Sequence, residues 1–480
     1  MRVPTNEPHP SPNVKDMSRK VVVIGAGPAG YVCAIRLAQL GQDVTVVEKG
    51  ELGGVCLNVG CIPSKALIAA GSLMEKVRKA STMGISVQDM SLDVDTLVDW
   101  KEGVVKRLTG GIGGLFKQHK IKHVVGEASF NSATQIQVGT DVIDCDDVVI
   151  ATGSIPTEIP GFAFDEKSVW SSTGALAPDR IPAHIVVIGG GYIGLELGMM
   201  YHKLGSKVTV LEATGGALPG QDADCIKIIE RSMKKSKIKM HTNVFAKSWS
   251  AKGDALEISY ADKDGNLTSL DCDQILCTVG RRPYTAGLNI EKAGLSVNKF
   301  GHIETDKQMR TAVPNIFCIG DIAGQPMLAH KGSKEGLVAA GVISGQNEEY
   351  DVKAVPAVIF TSPEMAAVGM DEAEAKEAGI AVKIGKFPFA ASGRAMSLME
   401  TDGFVKIVAD AKTDEVLGVQ MVGPEVTELI AEAALAIELG ATTEDIGRTI
   451  HAHPTLPEAM MEAAEAVHNM AVHIFQTPKA

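Results

Sequence analysis

The sequence predicts an α/β chain built around a duplicated βαβ unit, and three observations predict it. Residues 21–48 match residues 185–212 without a gap. Glycine is abundant (50 of 480 residues) and aromatics are scarce (4%), the usage of tight βα turns and buried β-branched strands. A chain of 480 residues also exceeds the ~250–300 at which one hydrophobic core stops growing. The expected division is a tail over 1–19, a first nucleotide-binding domain over 20–155, a second over 156–284, a central segment over 285–350 and an interface domain over 351–480. With 45% apolar and 22% charged residues, the composition excludes disordered, collagen-like and coiled-coil classes.

The repeat justifies the first two domains. Val22, Val23, Ile24, Gly25, Gly27, Gly30, Leu40, Gly41, Val44, Thr45, Val46 and Glu48 recur 164 positions later as Val186, Val187, Ile188, Gly189, Gly191, Gly194, Leu204, Gly205, Val208, Thr209, Val210 and Glu212. Each copy reads as strand, GxGxxG turn, amphipathic helix and second strand closing on an acid. The first glycine makes the turn, the second lets backbone approach a pyrophosphate, and the third lets helix and sheet pack closely. Glu48 and Glu212 stand 23 residues after their first glycine, near the ~20 at which an acid meets an adenosine ribose. Both copies therefore read as Rossmann-like dinucleotide sites. Expected contacts are Gly25, Gly27, Pro28, Ala29, Gly30, Glu48 and Lys49 in the first, and Gly189, Gly191, Tyr192, Ile193, Gly194, Glu212 and Val244 in the second. The copies also end alike, in strands closing on Thr152-Gly153 and on Val279-Gly280. Glu212 would repel a 2′-phosphate, which favours NAD over NADP.

Two dinucleotide sites suggest one resident and one exchanging cofactor, and the cysteines bear on which is which. Of eight, Cys33, Cys145, Cys225, Cys272, Cys277 and Cys318 fall in apolar or helical stretches and read as buried hydrophobes. Cys56 and Cys61 are five apart, directly after the first unit. That spacing on a helix can bring two sulfurs into bonding range, and zinc would want further Cys or His nearby, so no metal site is expected. A close pair in an intracellular protein is usually catalytic, with thiolates favoured by a helix N-terminus and by Lys65; two incidental buried cysteines are the alternative.

The segment Gly53-Gly54-Val55-Cys56-Leu57-Asn58-Val59-Gly60-Cys61-Ile62-Pro63-Ser64-Lys65 resembles the active-site segment of the disulfide-linked flavoprotein reductases, the class I pyridine nucleotide-disulfide oxidoreductases. Thr311 to Asp321, Met327-Leu328-Ala329-His330 and His451-Ala452-His453-Pro454-Thr455-Leu456-Pro457-Glu458 are similar to further segments of that family, so the likeness spans about residues 20–477. The resemblance implies resident FAD in the first site and exchanging NAD in the second. Gly54, Val55, Lys65, Gly126, Thr152, Gly153, Ser154, Asp321, Met327, Leu328, Ala329 and His330 would join the FAD contacts, and Gly280 those of NAD. It implies Cys56 as the interchange thiol, Cys61 as the flavin-side thiol, and Lys65 with Glu196 as an ion pair near the flavin. His453 would be the acid/base, oriented by Glu458, because a thiol nucleophile needs a base titrating near neutrality and a carboxylate on the other ring nitrogen fixes the tautomer. His451 is left structural.

The implied reaction is oxidation of dihydrolipoyl groups to lipoyl with NAD as acceptor. The implied assembly is a homodimer in which each histidine serves its partner's cysteines, working on lipoyl domains of 2-oxo acid dehydrogenase complexes or of the glycine cleavage system. Val55 and Tyr284 depart from common family residues. A glutathione reductase-like enzyme is the first rival, opposed by Glu212, and a non-catalytic flavoprotein redox sensor the second, opposed by the presence of Cys56, Cys61 and His453 together. Mercuric reductase and the large thioredoxin reductases need a C-terminal cysteine pair, and no cysteine follows Cys318. A net charge of −12 argues against nucleic acid and anionic membranes as partners. No uninterrupted apolar run of about 18 residues occurs, and the N-terminus lacks the regions of a signal peptide, so a cytoplasmic protein is expected. The proline-bearing tail is expected to be disordered, with Met17 a candidate start.

Overall fold

Both copies of the repeat fold as βαβ units, and each sits at the middle of a five-stranded parallel sheet. The computed structural model describes residues 18–477, so the expectation of a disordered tail and of a start at Met17 lies outside the described residues. The chain separates into two compact units. The first runs to Asn58 and takes in Arg107–Ile155 and Arg282–Tyr350; the second comprises Val59–Lys106, Pro156–Arg281 and the chain from Asp351 onward. The central segment thus folds with the first copy. Residues 59–106, expected with that copy, belong instead to the second unit, because the helix Cys61–Lys79 packs on the helix Tyr192–Leu204, where Gly71 meets Met200 and Lys203.

In the first unit the strands run Ile316–Cys318, Asp147–Ile150, Lys20–Ile24, Asp43–Glu48 and Lys122–Val125, all parallel. In the second they run Lys239–His241, Lys207–Leu211, His184–Ile188, Gln274–Cys277 and Val169–Trp170, again parallel. The glycine-loop strand is central in both, flanked by the acid-bearing strand and by the return strand. Val22, Val148, Ile316 and Cys318 fill one core; Val186, Ile188, Leu211 and Ile275 fill the equivalent one. The structural repeat outlasts the sequence repeat. Each copy adds a three-stranded antiparallel sheet before its return strand, from Ala128–Ser132, Gln135–Val138 and Asp141–Asp144 in one and from Val244–Lys252, Ala255–Asp262 and Leu267–Cys272 in the other.

The C-terminal region is an antiparallel sheet ordered Ala357–Ile359, Glu364–Gly369, Val416–Gly423, Phe404–Asp410 and Val382–Pro388. The helices Val426–Leu439, Thr443–Arg448 and Glu458–Val467 bury Ile430, Ile446, Met460 and Ala463 against it. Met460 is core, and Met470 is exposed. The cysteine segment Gly54–Met83 is long and apolar enough to pass for a membrane span by length and composition. It is nevertheless broken at Gly60, between the helices Gly54–Val59 and Cys61–Lys79, and it carries Lys65, Glu75 and Arg78.

Candidate functional site

The two glycine turns are shaped by packing at their first and third glycines and open at their second. A Cβ on Gly30 would stand 2.0 Å from the carbonyl oxygen of Gly25, and one on Gly194 would stand 2.2 Å from that of Gly189, so only glycine lets each helix seat on its strand. The middle glycines differ. A Cβ on Gly27 would meet nothing nearer than Gly54 Cα at 4.0 Å, and one on Gly191 nothing within 4 Å. The protein does not itself require glycine there, as expected where a ligand's phosphates approach the backbone. Gly27 and Gly191 cap the helices Pro28–Gln39 and Tyr192–Leu204 with extended backbone and no side-chain cap, which leaves helix N-terminal amides for an anion.

The acids have a second task that motif spacing did not reveal. Glu48 accepts the Ala26 amide at 2.8 Å and the Gly50 amide at 2.8 Å; Glu212 accepts the Gly190 amide at 2.5 Å and the Thr214 amide at 2.7 Å. Each carboxylate therefore braces its glycine turn, and its remaining lone pairs are free to meet a ribose. Glu212 is buried while Glu48 is half-exposed. Val244, expected at the second site, is buried with its amide on the Glu212 carbonyl at 3.0 Å. Gly280 ends the return-strand loop with its carbonyl accepting the Thr157 amide. Tyr192 is exposed at the helix start and Ile193 half-buried behind it.

The segments expected to complete the first site come together within the first unit. Ser154 Oγ lies 2.5 Å from Asp321 Oδ2, Thr152 Oγ1 donates to the Tyr284 carbonyl at 2.6 Å, and the Gly126 amide donates to the Glu48 carbonyl at 3.0 Å. Met327, Leu328, Ala329 and His330 lead into the helix Ala329–Ile343, which abuts Ala29 at Gly332 and Gly336. Gly53 donates to the Ala26 carbonyl at 2.9 Å, and a Cβ on Gly54 would stand 2.6 Å from Gly27 Cα, so the cysteine-bearing turn lies against the glycine loop. Lys49 Nζ is 2.7 Å from Tyr284 Oη and 4.2 Å from that ring's centroid. The phenol raises the Lys49 pKa more than partial burial lowers it.

Cys56 is half-buried and Cys61 exposed, while the other six cysteines are buried. Burial pushes the Cys145 and Cys272 thiols up to about 12 and Cys277 to about 11, so these groups are unreactive at neutral pH. Val55, beside Cys56, is exposed, and Tyr31 on the glycine-loop helix lies in the field of Cys56. Among the described residues no cluster of three or more His, Cys, Asp or Glu is arranged to hold a metal.

In the second unit, Lys65 Nζ is 2.8 Å from Glu196 Oε2, and Glu196 Oε1 accepts the Phe360 amide at 2.8 Å. The same ammonium lies 4.5 Å from the Phe360 ring centroid. Glu196 is buried, with Lys65 and the Phe360 amide as its partners. Phe360 is a residue the sequence reading missed. It follows the short strand Ala357–Ile359, and only long-range folding brings it to the ion pair.

At the C-terminus, His453 Nδ1 is 2.8 Å from Glu458 Oε1, and Glu458 Oε2 accepts the Thr455 amide at 2.8 Å. Nδ1 donating to the carboxylate leaves Nε2 to take a proton. The His453 side chain is 81% exposed, open to a substrate or a partner chain. Partial burial raises the Glu458 pKa, but the Thr455 amide and His453 outweigh it and hold the carboxyl below its ordinary range. His451 is different: its ring faces Glu432 at 2.8 Å through Nε2 and the Thr449 carbonyl at 2.8 Å through Nδ1. Both ring nitrogens are thus occupied.

Comparison with known proteins places these features in one family. Residues 19–336 match the model of the pyridine nucleotide-disulphide oxidoreductases, and residues 355–464 match the dimerisation domain of the same enzymes. The dihydrolipoyl dehydrogenase of Geobacillus stearothermophilus is 48% identical over 95% of this chain and 97% of its own length. That of Halobacterium salinarum is 46% identical over 94% and 97%. Among solved structures, LpdA from Mycobacterium tuberculosis superposes with a TM-score of 0.87 at 26% identity, covering 93% of this chain and 99% of its own. The HOCl-induced flavoprotein disulfide reductase RclA from Escherichia coli gives 0.84 at 27%, covering 94% and 99%. The chain belongs to the pyridine nucleotide-disulphide oxidoreductase family.

Proposed function

We propose that this chain is an NAD-dependent dihydrolipoyl dehydrogenase, working as a cytoplasmic homodimer on lipoyl groups carried by the lipoyl domains of 2-oxo acid dehydrogenase complexes or of the glycine cleavage system. The observation that carries the reading is the His453–Glu458 pair, joined to a CxxxxC segment in a chain 46–48% identical to dihydrolipoyl dehydrogenases over nearly its whole length. Structural likeness to RclA, at 27% identity, shares the architecture and is a weaker guide to substrate.

In this reading the partner's His453 Nε2 takes the proton of one substrate thiol. The resulting thiolate attacks Cys56 Sγ in the Cys56–Cys61 disulfide, which opens and releases Cys61 as thiolate. The second substrate thiol then attacks the substrate sulfur of the mixed disulfide and its proton passes to the leaving Cys56 sulfur, so the lipoyl disulfide leaves and Cys56 becomes a thiol. The protein disulfide has now taken up two electrons in all. FAD, held by the first glycine turn, Glu48, Ser154 and Asp321, would supply the relay of that electron pair to NAD at the second turn. Lys65, ion-paired with Glu196 at 2.8 Å, would supply a cation near a flavin that gains negative charge on reduction. Glu458 stays ionised, fixes the His453 tautomer and stabilises the imidazolium after proton transfer.

A steady-state comparison of dihydrolipoamide and glutathione, each with NAD and with NADP, tests the assignment. Dihydrolipoamide with NAD should give the highest kcat/KM; preference for glutathione or NADP would contradict it. Replacing His453 with Gln should keep bound flavin but lower turnover with dihydrolipoamide about 10²- to 10⁴-fold.

A further inference from the structure

Beyond the helix Glu458–Val467 the chain folds back along the helix it has just left. The Val472 and His473 amides donate to Glu462 Oε2 at 3.0 and 3.3 Å, and His473 Nδ1 lies 2.5 Å from Glu462 Oε1. Gln476 donates to the Ala466 carbonyl at 3.0 Å, and Ile474 packs on the interface-domain core. Glu462 is 3% exposed, whereas the His473 side chain is 68% exposed. Glu462 stands four residues after Glu458, one helical turn along the same face.

The helix therefore carries two histidine–carboxylate pairs of like construction. In each, Nδ1 faces one carboxylate oxygen while backbone amides hold the other: Thr455 for Glu458, Val472 and His473 for Glu462. The family-like segment His451–Glu458 stops short of the second pair. Glu462, Glu458 and Glu465 all face His473 and hold its imidazole above the ordinary histidine range, the Glu462 hydrogen bond first. On the elements packed against the helix, Lys386 is paired with Asp224, Lys406 with Asp222 and Arg448 with Glu444. Lys383 shares with Gly385 the strand face that meets the helix near Ala463 and Val467.

We propose that His473 is a positioning residue for the reaction: pinned on Glu462, it holds a positive charge beside Glu458 and so sets the proton affinity of the His453–Glu458 pair. The inference rests on the acid/base reading of His453. A cation beside Glu458 favours its ionised form and opposes a second positive charge on His453. As pH rises through the titration of His473 that cation is lost, and proton binding at His453 is no longer opposed.

The test is the pH profile of kcat/KM for dihydrolipoamide with the holoenzyme, recorded at low ionic strength between about pH 5.5 and 9. Wild type, His473→Gln, His473→Lys and His453→Gln are compared, with bound flavin and dimer state verified for each. In His473→Gln the acid limb should move upward by about 0.5 pH unit, and the displacement should shrink in 1 M salt. His473→Lys, which keeps the charge, should return the limb to its wild-type position. A His473→Gln profile superimposable on wild type would overturn the proposal, as would a His473→Lys profile displaced as far as that of His473→Gln, which would mark a merely structural role. If His453→Gln kept full turnover, the acid/base reading itself would fall; an inactive His453→Gln beside an unmoved His473→Gln profile sinks only this inference.

Discussion

The two copies of the βαβ unit share a backbone and differ in what closes over it. Each has the same glycine clash at its third position, the same carboxylate brace and the same flanking strands. Around the first turn, chain from three distant stretches converges: the cysteine segment at Gly53 and Gly54, Ser154 with Asp321, and the helix Ala329–Ile343 against Ala29. Around the second, Tyr192 is exposed and the loop after Glu212 is held by its own copy: Glu212 takes the Thr214 amide at 2.7 Å, the Leu218 amide donates to the Gly190 carbonyl at 2.9 Å and the Asn243 amide to the Thr214 carbonyl at 2.9 Å. The difference teaches that the repeated motif supplies the same turn twice, while the chain outside the repeat sets what surrounds it; in the proposed reading this separates an enclosed ligand from an exchanging one.

The largest effect expected from that comparison comes from filling the open middle glycines. Gly27→Ala should fold but purify without flavin, losing all turnover with dihydrolipoamide. Gly191→Ala should stay yellow and raise the KM for NAD about 10- to 100-fold. Flavin content by absorbance separates them, and loss of flavin in Gly191→Ala alone would reverse the assignment of the two sites.

A smaller effect should follow from the braces. Glu→Gln turns an acceptor oxygen into an amide donor facing a backbone N–H, a loss of about 1–3 kcal/mol. Glu212→Gln should raise the KM for NAD about tenfold and weaken rejection of NADP, leaving flavin affinity unchanged. Glu48→Gln should do the opposite, measured by flavin release on dilution.

Least perturbing is a chemical probe of whether both copies stay closed. After NADH reduction, iodoacetamide at pH 8 should modify Cys56 and Cys61 but not the buried thiols Cys33, Cys145 and Cys318 of the first unit or Cys225, Cys272 and Cys277 of the second. Peptide mapping reads the outcome. Labelling of Cys225, Cys272 and Cys277 as well, with the first unit's buried thiols spared, would show that the second copy opens in solution.

Much of this was legible in the residues. The 21–48 and 185–212 match located both nucleotide units, and the family-like segments pointed to Cys56, Cys61, His453 and Glu458. What escaped was long-range or doubly used. Phe360 reaches Lys65 and Glu196 only through the sheet, and His473 meets Glu462 only because the chain reverses after Val467. Glu48 and Glu212 were read as ribose ligands, and spacing could not show that each also holds its own turn. The grouping of residues 59–106 with the second copy likewise depends on helix packing, on which composition is silent.

In the proposed reading Cys56 and Cys61 form a redox pair that takes electrons from a dithiol beside a resident flavin. Anaerobic absorbance spectroscopy tests it most directly. Adding dihydrolipoamide or NADH to the yellow wild-type enzyme should produce a long-wavelength charge-transfer band, and Cys61→Ser should abolish it while keeping its flavin. A band that persists unchanged in Cys61→Ser, or a wild-type protein that gives none, would contradict the account.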